Sequence, residues 1–569
     1  MNGAETVVKF LQDKGVTCGF GYPGGPVLVL YEAIYKLKFN HILTRHEQGA
    51  VHAAEGYAKA TGKPGVVFAT SGPGATNLVT GLADAKLDSV PLLAITGAVA
   101  RDDTGSDAFQ EADITCVTEP VTKYNYFIMD ESELLPALEE AWEMTTSDRP
   151  GPVLINIPKD ILATSIPADH NATNKVRRHR PQPPESETQI PAVLEALSQS
   201  EKPLMLVGGG CNISPSAPAA LKGIVDAIGL PCATTLMGKG TLAADQRHYL
   251  GHIGMHGTVQ SNHALAECDL LLIVGSRLSD RVVALPDDMR AAVRTIIHVD
   301  IDGSEVGKRI RPDIPIEADA GKFLSGLLDA VTNNGWRAPE VWQSWRDMLE
   351  DLTIRFNRLI TKRLAATDPL RASFIIDRAS HLFAGQDPLV VTDVGQHQMF
   401  AAQYFKIESP NSFLTSGGLG TMGFGLPAAI GGSYGCPERP TVLVAGDGGL
   451  QMTIQELGLL AALDLPVFIM IMDNSTLGMV RQWQTLFFDE HYSQSMLGNN
   501  PDFVKIAEAY DITGKNIHTV EEFDAAVSDF QANPRPYLTR IYVETFENVF
   551  PMIPAGKGPG DLIMPGFEA

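Results

Sequence analysis

Two short apolar runs fix most of what this chain can fold into. The first, VLVAG, ends in Gly446-Asp447-Gly448-Gly449, and the second, VFIMIMDN, ends in Asp473-Asn474. Uncharged runs of this length, separated by a helical stretch, read as parallel strands buried on both faces of a sheet. Thr453, with Glu456 three residues later, has the capping-box pattern and predicts that the intervening helix starts there. Adjacent parallel strands bring Asp447 and Asn474 together at the carboxyl end of the sheet, where open α/β sheets hold ligands. A carboxylate, an amide oxygen and the backbone carbonyl of Thr476 suit a hard divalent cation. Mg²⁺ takes few protein oxygens and completes its octahedron with phosphate oxygens and water. The glycines let a diphosphate approach the backbone, and the helix start offers it N–H groups. Gly-Asp-Gly alone marks a turn; at a strand end, with Asp-Asn closing the next strand, it points to a metal-bound phosphate.

A chain of 569 residues is too long for one core, and three domains of ordinary size are expected. Helix-like and strand-like segments alternate through 1–163, 190–335 and 369–550. This predicts an α/β fold of three doubly wound parallel-sheet domains. The proline- and charge-rich Ile166–Gln189 reads as a linker, and the charged helical stretch Trp336–Asp368 as a second connection. Residues 551–569 form a Gly/Pro-rich tail, either an ordered lid or frayed. The net charge of −23 argues against nucleic acid and an anionic membrane as partners. No apolar run approaches the roughly 18 residues of a membrane helix. The six cysteines are scattered and read as reduced thiols. An amphipathic pattern begins at once with Val7, Val8 and Leu11, so no leader peptide is expected and the chain reads as cytoplasmic.

Arg45-His46-Glu47-Gln48 lies between an apolar strand and a helix. A glutamate there can simply cap the helix or face its dipole. Together with the strand-end glycines and the Asp-Asn pair, however, it resembles thiamine diphosphate enzymes. In those, a buried glutamate of one domain hydrogen-bonds the coenzyme's aminopyrimidine while another domain holds the diphosphate. Such a carboxylate favours the ring's imino tautomer, the base for the thiazolium carbon. Further stretches narrow the resemblance: FGYPGG, RHEQGA, TSGPGATN, GSDAFQE, RPGPV, IPKD, GMHGT, DVGQHQM, GTMGFGLPAA and LGMVRQWQ. From Met1 to about Pro554 the sequence resembles the acetohydroxyacid (acetolactate) synthase catalytic-subunit family, most of all its bacterial, FAD-containing biosynthetic form.

That resemblance implies thiamine diphosphate, Mg²⁺ and FAD as cofactors. It assigns Mg²⁺ to Asp447, Asn474 and the Thr476 carbonyl. It assigns the coenzyme to Glu47, Gly25, Val394, Gly395, Gln396, His397, Gly446, Gly448, Gly449 and Met479, with Met422 as the wedge that bends it. FAD is implied against Arg149, Gly208, Gly209, Gly210, Met255, His256, Gly257, Gly275, Ser276, Arg277, Asp300, Ile301 and Asp319. Catalytic roles fall to Glu47, Gln110, Lys159, Arg281 and Trp483, and substrate contacts to Phe109, Met255, Arg281 and Trp483. An arginine fork suits the carboxylate of a 2-ketoacid. A tryptophan wall favours 2-ketobutyrate over pyruvate as acceptor, since one buried methylene contributes roughly 1 kcal/mol. The implied products are 2-acetolactate and 2-aceto-2-hydroxybutyrate, precursors of branched-chain amino acids. A site shared between domains implies a homodimer or homotetramer in which Glu47 and Asp447 come from different subunits. The family also admits a small regulatory subunit.

Two positions depart from the family pattern. Leu278-Ser279 stands where Phe-Asp is common, which bears on flavin affinity and the site entrance. Pro26 stands where alanine is usual and removes a backbone N–H. The alternatives within the fold are a pyruvate oxidase, a flavin-free catabolic acetolactate synthase and a glyoxylate carboligase; Glu47 speaks against the last. A non-catalytic subunit that kept the scaffold is the alternative of another class, and intact Glu47, Asp447, Asn474 and Arg281 speak against it.

Overall fold

A computed structural model describes residues 1–166, 189–333, 335–365 and 369–567. Most of the linker predicted at Ile166–Gln189 lies outside the described residues. The strands form three six-stranded sheets in which every pairing is parallel. The first sheet contains β1 (Gly19–Gly21), β2 (His41–Leu43), β3 (Gly65–Ala69), β4 (Leu92–Ala98), β5 (Tyr124–Phe127) and β6 (Pro152–Pro158), in the order β2-β1-β3-β4-β6-β5. The second contains β7 (Pro203–Val207), β8 (Cys232–Thr234), β9 (Tyr249–His252), β10 (Leu270–Val274), β11 (Thr295–Asp300) and β12 (Ile314–Glu317), ordered β12-β11-β10-β7-β8-β9. The third contains β13 (Leu389–Thr392), β14 (Phe413–Leu414), β15 (Thr441–Gly446), β16 (Val467–Asp473), β17 (Thr513–Ile517) and β18 (Tyr537–Tyr542), ordered β14-β13-β15-β16-β18-β17. Every residue of β10, β15 and β16 is buried, as unbroken apolar runs in a helix-covered sheet must be. Each sheet reverses its winding between neighbouring central strands, β1 and β3, β7 and β10, and β13 and β15; in the first and third the last strand, β6 or β18, also turns back to insert beside the edge strand. The loops at those three points are where a doubly wound sheet opens.

The first and third units meet through the helices Glu47–Thr61 and Gly425–Gly435. Glycine permits their approach: a β-carbon on Gly431 would stand 1.8 Å from the Ala53 carbonyl oxygen, and one on Gly56 would stand 2.1 Å from that of Ala428. Among the described residues no helix is long and apolar enough to cross a membrane, and all six cysteines are free.

The structure corrects two sequence expectations and resolves a third. Helical backbone begins at Asp447, and Thr453 has φ −134° and ψ 27°, so Thr453 and Glu456 form no capping box. Tertiary partners take both side chains. The Thr453 hydroxyl donates to the Gly423 carbonyl at 2.9 Å, and the Glu456 carboxylate accepts the Arg45 N–H at 2.9 Å. Trp336–Asp368 is not a mere connection. Its helix, Trp342–Leu364, buries Trp342, Trp345, Leu349, Leu352 and Phe356, and the two indoles donate to the carbonyls of Ser200 and Pro203 at the second sheet. The tail is ordered through Phe567. Met552 and Ile563 bridge each other, Ile553 donates to the Met255 carbonyl at 2.8 Å, and Met564 packs with Val259 and Phe356.

Candidate active site

The loops after β13, β15 and β16 converge on one cavity of about 1250 Å³ that also reaches the second sheet. Asp447 and Asn474 stand at its floor with Thr476, as the strand register dictates: Gly446 pairs with Met472, so the residues that follow emerge side by side. Asp447 is 1% exposed. Burial pushes its carboxyl up to about 7, opposed by the hydrogen bond from Asn500 and reinforced by Asp473 nearby. The Asn500 amide donates to Asp447 Oδ2 at 2.6 Å and to Asp473 Oδ1 at 3.1 Å, while Arg540 neutralises Asp473 at 2.7 Å. Of Asp447 and Asp473, Asp447 is the one with no cationic partner among the described residues, and a divalent ion beside it would answer that need. Asn474 Oδ1 accepts the Thr476 N–H and hydroxyl, both at 3.0 Å, which fixes the turn that brings the Thr476 carbonyl to the same floor.

Gly395 and Gly446 make room for the imidazole of His397: a β-carbon on either would stand 2.9 Å from its ring. Burial lowers His397 to about 4, so the ring is neutral, and its Nε2 is buried without a partner. The Gln396 amide is held by Gln482 at 2.7 Å and by the Glu547 carbonyl at 2.9 Å. This floor of glycines, an unpaired imidazole nitrogen and a metal-type oxygen set fits a diphosphate. Above it sit Met422, Met479 and Trp483, the last two one turn apart on the helix Gly478–Phe487, with Trp483 edge-on to Phe487 at 5.7 Å. Met422 is carried by a loop tied down through Asp393, which accepts the N–H groups of Val394, Gly423 and Gly425 at 2.8 to 3.2 Å.

The cavity's far end belongs to the second sheet. Gly209, Gly210 and Gly275 line it with Ser276, Arg277, Asp300, Ile301, Asp319, Met255 and His256. Gly208 and Gly257 stand behind this wall: their β-carbons would lie 2.0 Å from the Gly275 carbonyl oxygen and 2.6 Å from that of His252. Arg149 reaches in from the first unit, ion-paired with Glu305 at 2.9 Å. Burial lowers Arg277, and Arg149 beside it lowers it further, so two guanidinium groups face one space. Burial raises Asp300 to about 6 at the tip of β11. Two cations, strand-end glycines and a strand-end acid fit a second, dinucleotide-sized anion. Arg281 is exposed, with Nη1 at 3.4 Å from the Met255 sulfur, and no ion pair joins it to Asp280 among the described residues. Leu278 is buried at φ 51° in the apolar cluster of the second sheet and, with Ser279, also lines the cavity, so this departure from the family pattern stands in the cavity wall.

Glu47, Gly25, Phe109, Gln110 and Lys159 do not line this cavity. They gather at the carboxyl end of the first sheet. Glu47 is 8% exposed and opens the helix Glu47–Thr61; its Oε2 accepts the Asn77 amide at 2.9 Å, and a β-carbon on Gly74 would stand 3.0 Å from Oε1. Gln110 has φ 62° and its carbonyl lies 2.6 Å from where a β-carbon on Gly72 would stand. Phe109 is 89% exposed, and Lys159 lies 3.7 Å from Asp103. Pro26 sits in the short helix Gly25–Val27, where a missing N–H costs nothing.

Sequence reasoning missed Asn77, Asp393, Asn500 and the Asp473–Arg540 pair. Asp393 and Asn77 lie within DVGQHQM and TSGPGATN, whereas Asn500 carries no local signal, because only the fold brings it to Asp447.

Three family models match the three units: the N-terminal TPP binding domain of thiamine pyrophosphate enzymes over residues 1–116, their central domain over 190–327, and their C-terminal TPP binding domain over 393–541. The acetolactate synthase isozyme 2 large subunit of Escherichia coli is 40% identical over 566 residues, 99% of each chain. The chain belongs to the acetolactate synthase large-subunit family. The probable acetolactate synthase large subunit of Methanocaldococcus jannaschii is 41% identical, covering 99% of this chain and 95% of its own. The acetolactate synthase large subunit of Lactococcus lactis is 40% identical, covering 99% and 96%.

Proposed function

We propose that this chain is a biosynthetic acetolactate synthase, in which pyruvate loses CO₂ and its remaining two-carbon unit joins the carbonyl carbon of a second 2-ketoacid. Pyruvate as acceptor gives 2-acetolactate, and 2-ketobutyrate gives 2-aceto-2-hydroxybutyrate. The observation that carries the reading is Asp447: a buried carboxylate without a cation of its own, at a glycine floor beside the unpaired His397 nitrogen, in a chain of this family. Thiamine diphosphate, when bound, supplies the electron sink that decarboxylation requires.

The residues present fit the three cofactors. Asp447, Asn474 and the Thr476 carbonyl would hold Mg²⁺; Val394, Gly395, Gln396, His397 and Gly446–Gly449 would cradle the diphosphate. Arg149, Arg277 and the second-sheet glycines would hold FAD, whose role in a reaction without net electron transfer is structural. Met422 and Met479 shape the apolar middle of the cavity. Arg281, with no ion pair among the described residues, grips the acceptor's carboxylate in a fork, and Trp483 provides the flat wall against its alkyl group. Once closed over by a second copy, the cavity would exclude water while two small anions are placed in order.

One chain leaves this site incomplete, because Glu47 and its neighbours face elsewhere. A second copy would bring them over the cavity, with Glu47 holding a proton between its carboxylate and the coenzyme ring while Phe109, Gln110 and Lys159 close the substrate channel. The working unit is therefore a homodimer or a pair of dimers. The relatives are named large subunits, and the same naming gives this chain a small-subunit partner. Purified protein with Mg²⁺ and thiamine diphosphate tests the reading: pyruvate and 2-ketobutyrate together should yield both products, and the protein should show a flavin spectrum. Rapid bleaching of that colour by pyruvate under anaerobic conditions, without acetolactate, would replace the synthase with an oxidase.

A further inference from the structure

A buried polar network at the wall of the cavity, which Asp88 and Ser416 help to line, joins the first unit to the loop that carries Met422. On the helix Glu47–Thr61, His52, Glu55 and Lys59 share one face; on the helix Val79–Asp88, Asp84 and Asp88 stand one turn apart. None of His52, Glu55 or Asp84 is exposed. Asp84 Oδ1 accepts the hydroxyl of Ser416 at 2.7 Å. The same hydroxyl oxygen accepts the N–H groups of Gly420 at 3.0 Å and Thr421 at 2.8 Å. The loop from 416 to 421 is thus folded around one oxygen, and the hydrogen on that oxygen is aimed by Asp84. Asp88 secures the same loop, accepting Gly417 N–H at 3.1 Å and Gly418 N–H at 2.8 Å, and Lys59 bridges Asp88 at 2.8 Å to the Thr415 carbonyl at 2.6 Å. On the other side of Met422, Asp393 holds Gly423 and Gly425. Met422 is therefore gripped from both flanks, and the grip on the Ser416 side comes from another unit of the chain.

We propose that Asp84 is a positioning residue for the reaction, setting the place of Met422 in the cavity through Ser416. The inference rests on the thiamine diphosphate reading and deepens it. Charge explains how a carboxyl can do this inside the core. His52 is neutral, and its Nδ1 meets Glu55 Oε1 at 3.0 Å. Lys59 is engaged by Asp88, and Asp393 is satisfied by backbone N–H groups. Glu55 and Asp84 remain, lying within 4.8 Å of each other and of His52, with Glu55 Oε2 and Asp84 Oδ2 unpartnered as ionised groups. Two buried like charges this close cannot both persist, so the pair holds one proton between its carboxyls and leaves Asp84 Oδ1 free to take Ser416. Burial raises both groups.

Three variants of the full chain, assayed with thiamine diphosphate and Mg²⁺, test the proposal. Ser416→Ala keeps the core carboxyls in place and unties the loop. It should lower kcat about tenfold or more, since small misplacements are costly to an aligned reaction. The KM for pyruvate and the coenzyme half-saturation should stay within about twofold, and the near-ultraviolet circular dichroism of bound coenzyme should change, because what moves is its support and not its anchor. Asp84→Ala should do the same or more. Asp84→Asn should rescue kcat to within about threefold of the parent: its amide oxygen accepts Ser416 and its amide hydrogen permanently replaces the shared proton. Unchanged kcat and dichroism in Ser416→Ala would overturn the proposal, and so would Asp84→Asn as damaged as Asp84→Ala, since that would require an ionised carboxylate. If Asp84→Ala fails to fold, the other two variants decide. A parent protein that binds coenzyme but makes no acetolactate sinks the synthase reading, while the dichroism of Ser416→Ala still tests the loop.

Discussion

The winding reversals of the first and third sheets are alike in topology and opposite in chemistry. At the third, the loops after β13, β15 and β16 enclose a deep cavity floored by Asp447, Asn474 and glycine. At the first, Glu47, Phe109, Gln110 and Lys159 stand outside that cavity, Phe109 almost wholly in solvent. The difference teaches that a doubly wound sheet supplies only the place for a ligand. Which half of a reaction is served there depends on the few side chains at the strand tips. On the proposed reading one end would anchor an anion through a metal, and the other offers one carboxylate, Glu47, held by Asn77.

The largest effect that would break this division is on Glu47. Glu47→Gln is expected to lower acetolactate formation by about a hundredfold or more, the scale of a lost acid–base group, while leaving Mg²⁺-dependent coenzyme binding nearly intact. Near-normal turnover would remove the first sheet from the chemistry. At the opposite end, Asn500→Ala should weaken Mg²⁺-dependent coenzyme binding by about tenfold or more, because the amide that orients Asp447 and keeps it from Asp473 is gone. Titration of activity with thiamine diphosphate at fixed Mg²⁺ checks this, and an unchanged half-saturation contradicts it. Trp483→Leu should reduce the preference for 2-ketobutyrate over pyruvate about fivefold, the worth of a methylene against an aromatic wall. The product ratio from mixed ketoacids reads it directly.

The smallest effect concerns the seam between the two ends. Burial raises Glu456 to about 7, opposed by the N–H of Arg45. The folded chain therefore keeps a proton that the unfolded chain releases near the ordinary value of 4.5. The stability this gives is complete below the unfolded value and is lost as the pH rises through about 7. Glu456→Gln, which holds a hydrogen permanently, should be nearly neutral at pH 5 and more stable than the parent by about 1–2 kcal/mol at pH 8. Denaturant titration at both values measures it, and equal losses in parent and variant would show that Glu456 is ionised in the fold.

Much of this was legible in the chain. The apolar runs at 442–445 and 467–472 are buried throughout because a parallel sheet leaves neither face to water, and the pairing of Gly446 with Met472 brings Asp447 out beside Asp473, one residue before Asn474. Thr453 and Glu456 misled for an equally physical reason: a capping box is a local bargain, and Gly423 and Arg45 offered better partners from elsewhere. The helix Trp342–Leu364 looked like a connection because its charges dominate the composition, while its five buried residues recur on a single stripe.

Periodicity and short motifs are written locally, so the three alternating units, the strand-end residues and the family could be read along the chain. It took the folded chain to show that Asn500 holds Asp447, that Asp84 reaches Ser416 across 332 positions, that the tail docks against Met255, and that Glu47 lies apart from the cavity. Those contacts depend on how separate units pack, and packing is set by shape and desolvation summed over the whole chain, which no stretch of it records.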